Sequence, residues 1–117
     1  MPVPFRDGRR FGTLPNISLL QLRTYDISGK VTVRIDHLGQ DSVLLVVARG
    51  SAAQRRGAWI LSGYSIGGIR NVVTTLDSGN ALSLKATSER YFELTNAEPG
   101  FTRLAIFALI GGLPSIS

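Results

Sequence analysis

The segment that decides the fold is TRLAIFALI, residues Thr102–Ile110, which is followed by Gly111-Gly112. In a β-strand, alternate side chains point to opposite faces. The two faces of this strand carry Leu104, Ile106, Ala108 and Ile110 on one side and Ala105, Phe107 and Leu109 on the other. Both sets are apolar, whereas the antiparallel sheets of small proteins usually turn one polar face to water. The pattern therefore predicts a strand that is covered twice, once by its own core and once by a second copy of the chain.

The second of these covers is a predicted contact between subunits. Permanent interfaces between copies commonly bury more than about 2,000 Å² and resemble a protein core that has been cut in half. The predicted oligomer interface consists of Ala105, Phe107, Leu109 and Ile110.

The rest of the chain repeats short apolar runs that are separated by turn residues. Residues 30–36 alternate cleanly, and SVLLVVAR at 42–49 is a continuous apolar run that suits a central strand. Further strand patterns cover residues 17–25, 58–65, 69–76, 81–87, 90–95 and 102–110. About eight strands without a convincing helix predict an all-β fold, an antiparallel, jelly-roll-like β-sandwich of two four-stranded sheets. An immunoglobulin-like sandwich is the nearest alternative.

Two connections in this pattern have clear turn chemistry. Residues 26–29 (DISG) are predicted to form a turn after the first strand, and residues 77–80 (DSGN) are predicted to form a hairpin connection.

The first sixteen residues precede any periodic pattern and include three prolines. They also contain apolar side chains that a purely solvated tail does not need. The sequence therefore predicts two parts, an extended N-terminal arm at residues 1–16 and a β-sandwich domain at residues 17–117. The predicted arm anchors, which would dock on a neighbouring subunit, are Val3, Phe5, Phe11 and Leu14. A terminus without a docking partner is the alternative.

Composition excludes several classes of site. The chain has no cysteine and a single histidine, which excludes disulfides and thiolate metal centres and leaves little for a nitrogen-ligand site. No window has the roughly 18–20 unbroken apolar residues of a transmembrane helix, and the first residues show no signal-peptide core. The net charge is +5, but the arginines are scattered along the chain, so a single-stranded nucleic-acid binder remains only an alternative.

The motifs of catalysis are missing as well. His37 follows Asp36 in a predicted surface turn, and no Gly-x-Ser-x-Gly elbow supplies an activated serine. The sequence therefore predicts a protein that is not an enzyme and that needs no cofactor and no catalytic metal.

One loop is a candidate for ligand binding. Residues 50–57 (GSAAQRRG) are small, polar and basic, and they lead directly into the strand that holds Trp59 and Tyr64. Two adjacent arginines can grip a carboxylate or phosphate, and aromatic rings can stack on sugars or bases. The candidate ligand surface is therefore Arg55, Arg56, Trp59 and Tyr64, on the condition that Gly63 forms a bulge that turns both rings to one face. Without that bulge Trp59 belongs to the core.

A family resemblance runs across residues 57–112. The succession GAWILSGYS, IRNVVTTLDSGNALSLKAT and RYFELTNAEPGFTRLAIFALIG resembles the carboxy-terminal modules of bacteriophage tail fibres and related virion proteins. These modules have an aromatic-apolar strand, a Ser/Thr-rich hairpin, an L-T-N motif and a final apolar strand. The sequence departs from the family pattern in containing no triple-helical or β-helical repeat, and we expect a module without a fibre shaft.

The resemblance implies a virion structural protein that self-associates, with a homotrimer as the expected state. It implies a location in the virion, with a capsid protein or a tail protein as partner, and either capsid decoration or a place in a tail or fibre. The alternative function is a receptor- or carbohydrate-binding tip that takes a host-surface glycan through its loops.

Overall fold

The computed structural model describes residues 21–52, 54–64, 67–97 and 99–117. These residues form nine β-strands: β1 (Gln21–Ser28), β2 (Val31–Asp36), β3 (Ser42–Gly50), β4 (Arg56–Tyr64), β5 (Arg70–Ser78), β6 (Leu82–Ala86), β7 (Tyr91–Asn96), β8 (Phe101–Ile110) and β9 (Ser115–Ile116). Among them is no helix that is long and apolar enough to cross a membrane. The predicted arm at residues 1–16, with its four anchors, lies outside the described residues.

The strands form two antiparallel sheets. A five-stranded sheet has the order β1-β8-β3-β4-β5, and a four-stranded sheet has the order β6-β7-β2-β9. The last long strand, β8, lies inside the larger sheet, where it pairs with β1 on one side and β3 on the other. The predicted antiparallel β-sandwich is confirmed, with nine strands arranged as five and four.

The core fills the space between the two sheets. The five-stranded sheet contributes alternate residues of β3, β4 and β8, and the smaller sheet contributes residues of β2, β6 and β7. The buried side chains of this core are Ile35, Leu44, Val46, Ala48, Trp59, Leu61, Leu82, Leu84, Phe92, Leu94, Leu104, Ile106 and Ala108. Burying a large apolar side chain stabilises the fold by about 1.5–3 kcal/mol, so the burial of alternate apolar residues is the main factor that selects the strand register.

Both predicted turns differ from the structure. Residues 26–28 continue β1, because Asp26 lies opposite Arg103 and Ser28 lies opposite Phe101 in the ladder with β8. The chain turns instead at Gly29, whose φ of 83° is the left-handed conformation that glycine tolerates. The residues 77–80 do not close a hairpin, since β5 and β6 belong to different sheets. The apolar residues that follow, Ala81 and Leu82, are buried in the core, and the chain crosses here from the five-stranded sheet to the four-stranded sheet.

A bulge near the end of β8 changes the alternation that the sequence predicts. Val43 of β3 lies opposite Ile110, but Leu44 lies opposite Ala108, so Leu109 is an extra residue on β8. Ile110, which strict alternation would group with Leu104 and Ile106, is therefore carried to the other side of the sheet beside Leu109.

Candidate assembly interface

The face of the five-stranded sheet that points away from the core is largely apolar, although Thr24, Ser62 and Thr74 also lie on it. The register places Leu22, Phe107, Leu45 and Ile60 in one row across four neighbouring strands. We call this surface the outer apolar face, and its side chains are Leu22, Val43, Leu45, Val47, Ala58, Ile60, Val72, Ala105, Phe107, Leu109 and Ile110. The interface residues predicted from sequence thus lie together on it.

Much of this face is open to solvent. Leu22, Val72, Leu109 and Ile110 are 51%, 59%, 43% and 55% exposed, and Phe107 is half-buried among its neighbours in the sheet. A single exposed apolar side chain is ordinary, but a contiguous patch marks an interaction surface or an aggregation hazard.

A row of charges closes one end of the outer apolar face. The register aligns Asp26 of β1, Arg103 of β8, Arg49 of β3 and Arg56 of β4. The outer arginines are paired, since Arg103 Nε lies 2.8 Å from Asp26 Oδ1 and Arg56 Nε lies 3.1 Å from Asp77 Oδ2. An apolar centre with a charged rim is the usual anatomy of a protein interface.

The ion pair between Asp26 and Arg103 affects the titration of both groups. The hydrogen bond from the Arg103 guanidinium, together with its charge, lowers the pKa of Asp26 below 3.8. The same hydrogen bond and the carboxylate charge raise the pKa of Arg103. Both side chains are solvated, so the ion pair contributes little to the stability of the fold, and its main effect is to hold the two side chains in place at the end of the face.

The opposite outer face, on the four-stranded sheet, has a different character. Its polar groups satisfy one another: Lys85 Nζ lies 3.4 Å from Glu93 Oε1, Arg90 Nη2 lies 3.6 Å from Asp36 Oδ2, and Thr32 and Thr95 hydroxyls are 3.1 Å apart. The Arg34 guanidinium stacks over the Tyr91 ring at 4.7 Å from its centre. This is a solvated face, so the two sides of the sandwich differ and only one resembles an interface.

The candidate ligand surface is not assembled as one patch. Arg55, expected in an exposed loop, is buried and donates a hydrogen bond to the backbone oxygen of Pro99, where it lies against Gly50 and Gly100. Arg56 begins β4 and pairs with Asp77. The placement of this loop in solvent is therefore corrected, because the Arg55 side chain fastens the β3–β4 connection to the turn before β8.

The two aromatic members of that surface lie on opposite sides of the sheet. Trp59 is 1% exposed in the core, whereas Tyr64 alternates onto the outer side with Ile60. Gly63 does not bulge, since it pairs in regular register with Ser42 and Asn71. Glycine is needed there because a Cβ would meet the His37 ring at 2.7 Å.

His37 is not a surface residue, contrary to the sequence-based expectation. It is 2% exposed, and its Nδ1 accepts a hydrogen bond of 3.2 Å from the backbone N–H of Gly39, which assigns the proton to Nε2. Nε2 then donates to Asn71 Oδ1 over 3.0 Å, and Asn71 Nδ2 donates to the backbone oxygens of Thr87 and Glu89. The pair thus links the β2–β3 turn, strand β5 and the β6–β7 turn. It holds the two sheets together at this end, a role that no local sequence signal indicates.

No group of three or more histidine, cysteine, aspartate or glutamate side chains that could hold a metal ion occurs within residues 21–52, 54–64, 67–97 and 99–117. No family model matches the chain, and no curated protein matches it. Among solved structures, the chain is similar to a tailspike protein, gp49, of Acinetobacter baumannii bacteriophage Fri1, described as a capsular polysaccharide depolymerase. The identity is 11% and the TM-score 0.45, and the match covers 84% of this chain. It covers 18% of the tailspike chain, so this chain spans less than a fifth of that protein.

Proposed function

We propose that this chain is a non-enzymatic structural protein of a bacteriophage virion. It is a β-sandwich that self-associates through the outer apolar face and decorates a capsid or forms part of a tail or fibre. The observation that carries self-association is the contrast between the two outer faces, one largely apolar and the other covered by paired charges. The virion setting rests on the resemblance of residues 57–112 to tail-fibre modules.

The size of the outer apolar face supports a specific contact. Five strands about 4.8 Å apart and about seven residues at roughly 3.3 Å each give a face of about 24 by 23 Å. Two copies that meet over this face would remove roughly 1,100 Å² from water, just above the area of about 1,000 Å² that a specific interface needs. In the trimer that the resemblance implies, each copy would divide the same face between two neighbours around one axis.

The alternatives have less support from the geometry. A receptor-binding tip or a single-strand nucleic-acid binder was expected to use Arg55, Arg56, Trp59 and Tyr64 together. Because Arg55 and Trp59 are buried, these side chains do not offer one surface to a glycan or a base.

The proposal is tested by native mass spectrometry and sedimentation on the wild-type chain and two aspartate variants. Phe107→Asp places a charge at the centre of the outer apolar face, where an uncompensated buried charge is costly in any oligomer. Ser83→Asp is the matched control, an exposed strand position on the other sheet. We expect an oligomeric wild type, a Ser83→Asp variant of the same size, and a folded Phe107→Asp variant that forms a smaller species because the contact across this face is lost. A wild type that is monomeric at micromolar concentration would refute the self-association.

The virion setting needs a separate measurement. Purified particles from a producing host are digested, and peptides of this chain are sought at a constant ratio to the major capsid protein. Their absence from infectious particles would remove the virion role and leave the self-association result unaffected.

A further inference from the structure

Strand β5 is an open edge of the five-stranded sheet. It pairs with β4 on one side, and within the described residues no strand pairs with its other side. An edge strand presents a row of backbone N–H and C=O groups that another strand can complete.

The four sheet edges differ in how they are protected. Natural proteins block edge pairing with charges, prolines, bulges or short strands. Strand β1 carries Arg23 and Asp26, β6 has five residues with Lys85 among them, and β9 has two residues. Strand β5 has nine residues, and its centre, NVVTTL at residues 71–76, contains no charge, proline or glycine. Its one irregularity, a bulge where Leu76 is the extra residue opposite β4, lies towards the Asp77 end.

We propose that β5 pairs antiparallel with β5 of a second copy, around a twofold axis at Thr74. The two five-stranded sheets then become one continuous sheet of ten strands. In this register Val73 faces the partner's Thr75 and Val72 faces the partner's Leu76, where the bulge ends the regular pairing. Val72 and Leu76 are 59% and 57% exposed in the single chain, and the pairing would cover both.

Charge selects the second copy and the antiparallel direction. Arg70 and Asp77 stand near opposite ends of β5, so the twofold arrangement brings each Arg70 beside the partner's Asp77. A parallel arrangement would place Arg70 beside Arg70 and Asp77 beside Asp77, and like charges opposite each other are destabilising. No ion pair of Arg70 occurs among the described residues, whereas Asp77 is bound on one side by Arg56.

This contact involves the edge of the sheet and is distinct from the contact across the outer apolar face. The inference about β5 rests on the proposed function only in the premise that copies of the chain associate with one another. A chain with two different self-contacts builds an assembly larger than the oligomer that either contact closes alone. The experiments therefore use Phe107→Asp as background, so that the face contact is removed before the edge is tested.

Disulfide trapping tests the pairing directly, because the chain has no cysteine of its own. Directly opposite residues of an antiparallel pair have Cα atoms about 4.5–5.5 Å apart, which a disulfide can span. We expect Thr74→Cys to cross-link between copies at least tenfold faster than Ser83→Cys, its exposed control. The register predicts further that a mixture of Val72→Cys and Leu76→Cys chains cross-links faster than either variant alone. Equal rates for Thr74→Cys and Ser83→Cys would overturn the proposal. If another segment of the same chain covered β5, the experiment would give this result.

A charge-reversal series provides a test without covalent capture. Residue 74 lies opposite residue 74 of the second copy, so Thr74→Lys and Thr74→Glu each place two like charges face to face. Each variant should therefore dimerise at least tenfold more weakly than the Phe107→Asp parent. Mixing the two should restore dimers that contain one chain of each kind, which an intrinsic folding defect would not allow. Circular dichroism of each variant confirms that it is folded. Dimers that persist unchanged in both single variants would overturn the pairing.

Discussion

Asn96 is expected to hold two turns of the sandwich in place, and its replacement tests that role. The residue is fully buried at the end of β7. Its Nδ2 donates to the backbone oxygen of Gly29 over 2.8 Å and to that of Gly100 over 3.3 Å. Gly29 and Gly100 are also joined by their own backbone hydrogen bond of 3.2 Å. One side chain thus secures the β1–β2 turn against the turn before β8.

The expected cost of Asn96→Ala follows from these contacts. Each lost hydrogen bond removes about 1 kcal/mol of net stability, and a buried carbonyl left without a donor costs about 1–3 kcal/mol. The Gly100 oxygen keeps the N–H of Gly29, so only the Gly29 oxygen loses its donor outright. We therefore expect Asn96→Ala to lower the free energy of unfolding by about 2–4 kcal/mol.

Urea unfolding at one fixed protein concentration measures this change, because self-association would otherwise add to apparent stability. The control is Asn80→Ala, an exposed asparagine that should change stability by less than about 0.5 kcal/mol. A loss below about 1 kcal/mol for Asn96→Ala, equivalent to one ordinary hydrogen bond, would refute the role assigned to the buried amide.

Two further predictions concern a core glycine and the charged rim. Gly57→Ala is expected to destabilise the chain by about 1–3 kcal/mol through overpacking, because a Cβ would overlap the Trp59 ring; Gly112→Ala, whose Cβ would meet its nearest neighbour at 3.7 Å, should leave unfolding by urea almost unchanged, and equal stability of the two variants would contradict this packing. The pKa of Asp26, followed by NMR, should lie below 3.8 and return towards 3.8 in Arg103→Gln. Since the folded-state pKa is the lower one, the ion pair contributes its small stabilisation above pH 3.8 and loses it as pH falls through the lowered pKa; an unchanged Asp26 titration in Arg103→Gln would show that the pair does not form.

The sequence allowed the fold to be predicted wherever hydrophobic alternation was strong. The strand at residues 102–110 and the continuous run at 42–49 are adjacent inside the five-stranded sheet, and each has a neighbouring strand on both sides. Turn chemistry was a weaker guide. The residues DISG and DSGN have the composition of turns, but Asp26 and Asp77 instead pair with arginines on neighbouring strands. The sequence separation is 77 positions for the Asp26 pair and 21 positions for the Asp77 pair.

The side chains of the candidate ligand surface could not be placed from the sequence either. Arg55 and Arg56 are adjacent in the sequence, yet one is buried against a distant turn and the other pairs with a neighbouring strand. His37 and Asn71 are 34 residues apart and meet only because the two sheets come together. Neither arrangement has a local pattern, since it depends on which strands become neighbours.

The position of β8 has a consequence for how the molecule acquires its structure. A ribosome delivers this strand after β1 to β7, yet its place in the sheet is between β1 and β3. Until it arrives, these two strands have no neighbour at that position, and their apolar side chains remain exposed. Contacts between distant segments slow folding, and partly folded chains with open strands are prone to aggregate. The five-stranded sheet is therefore completed by the insertion of its last-made strand, and chains that have not reached that step are the ones most exposed to aggregation.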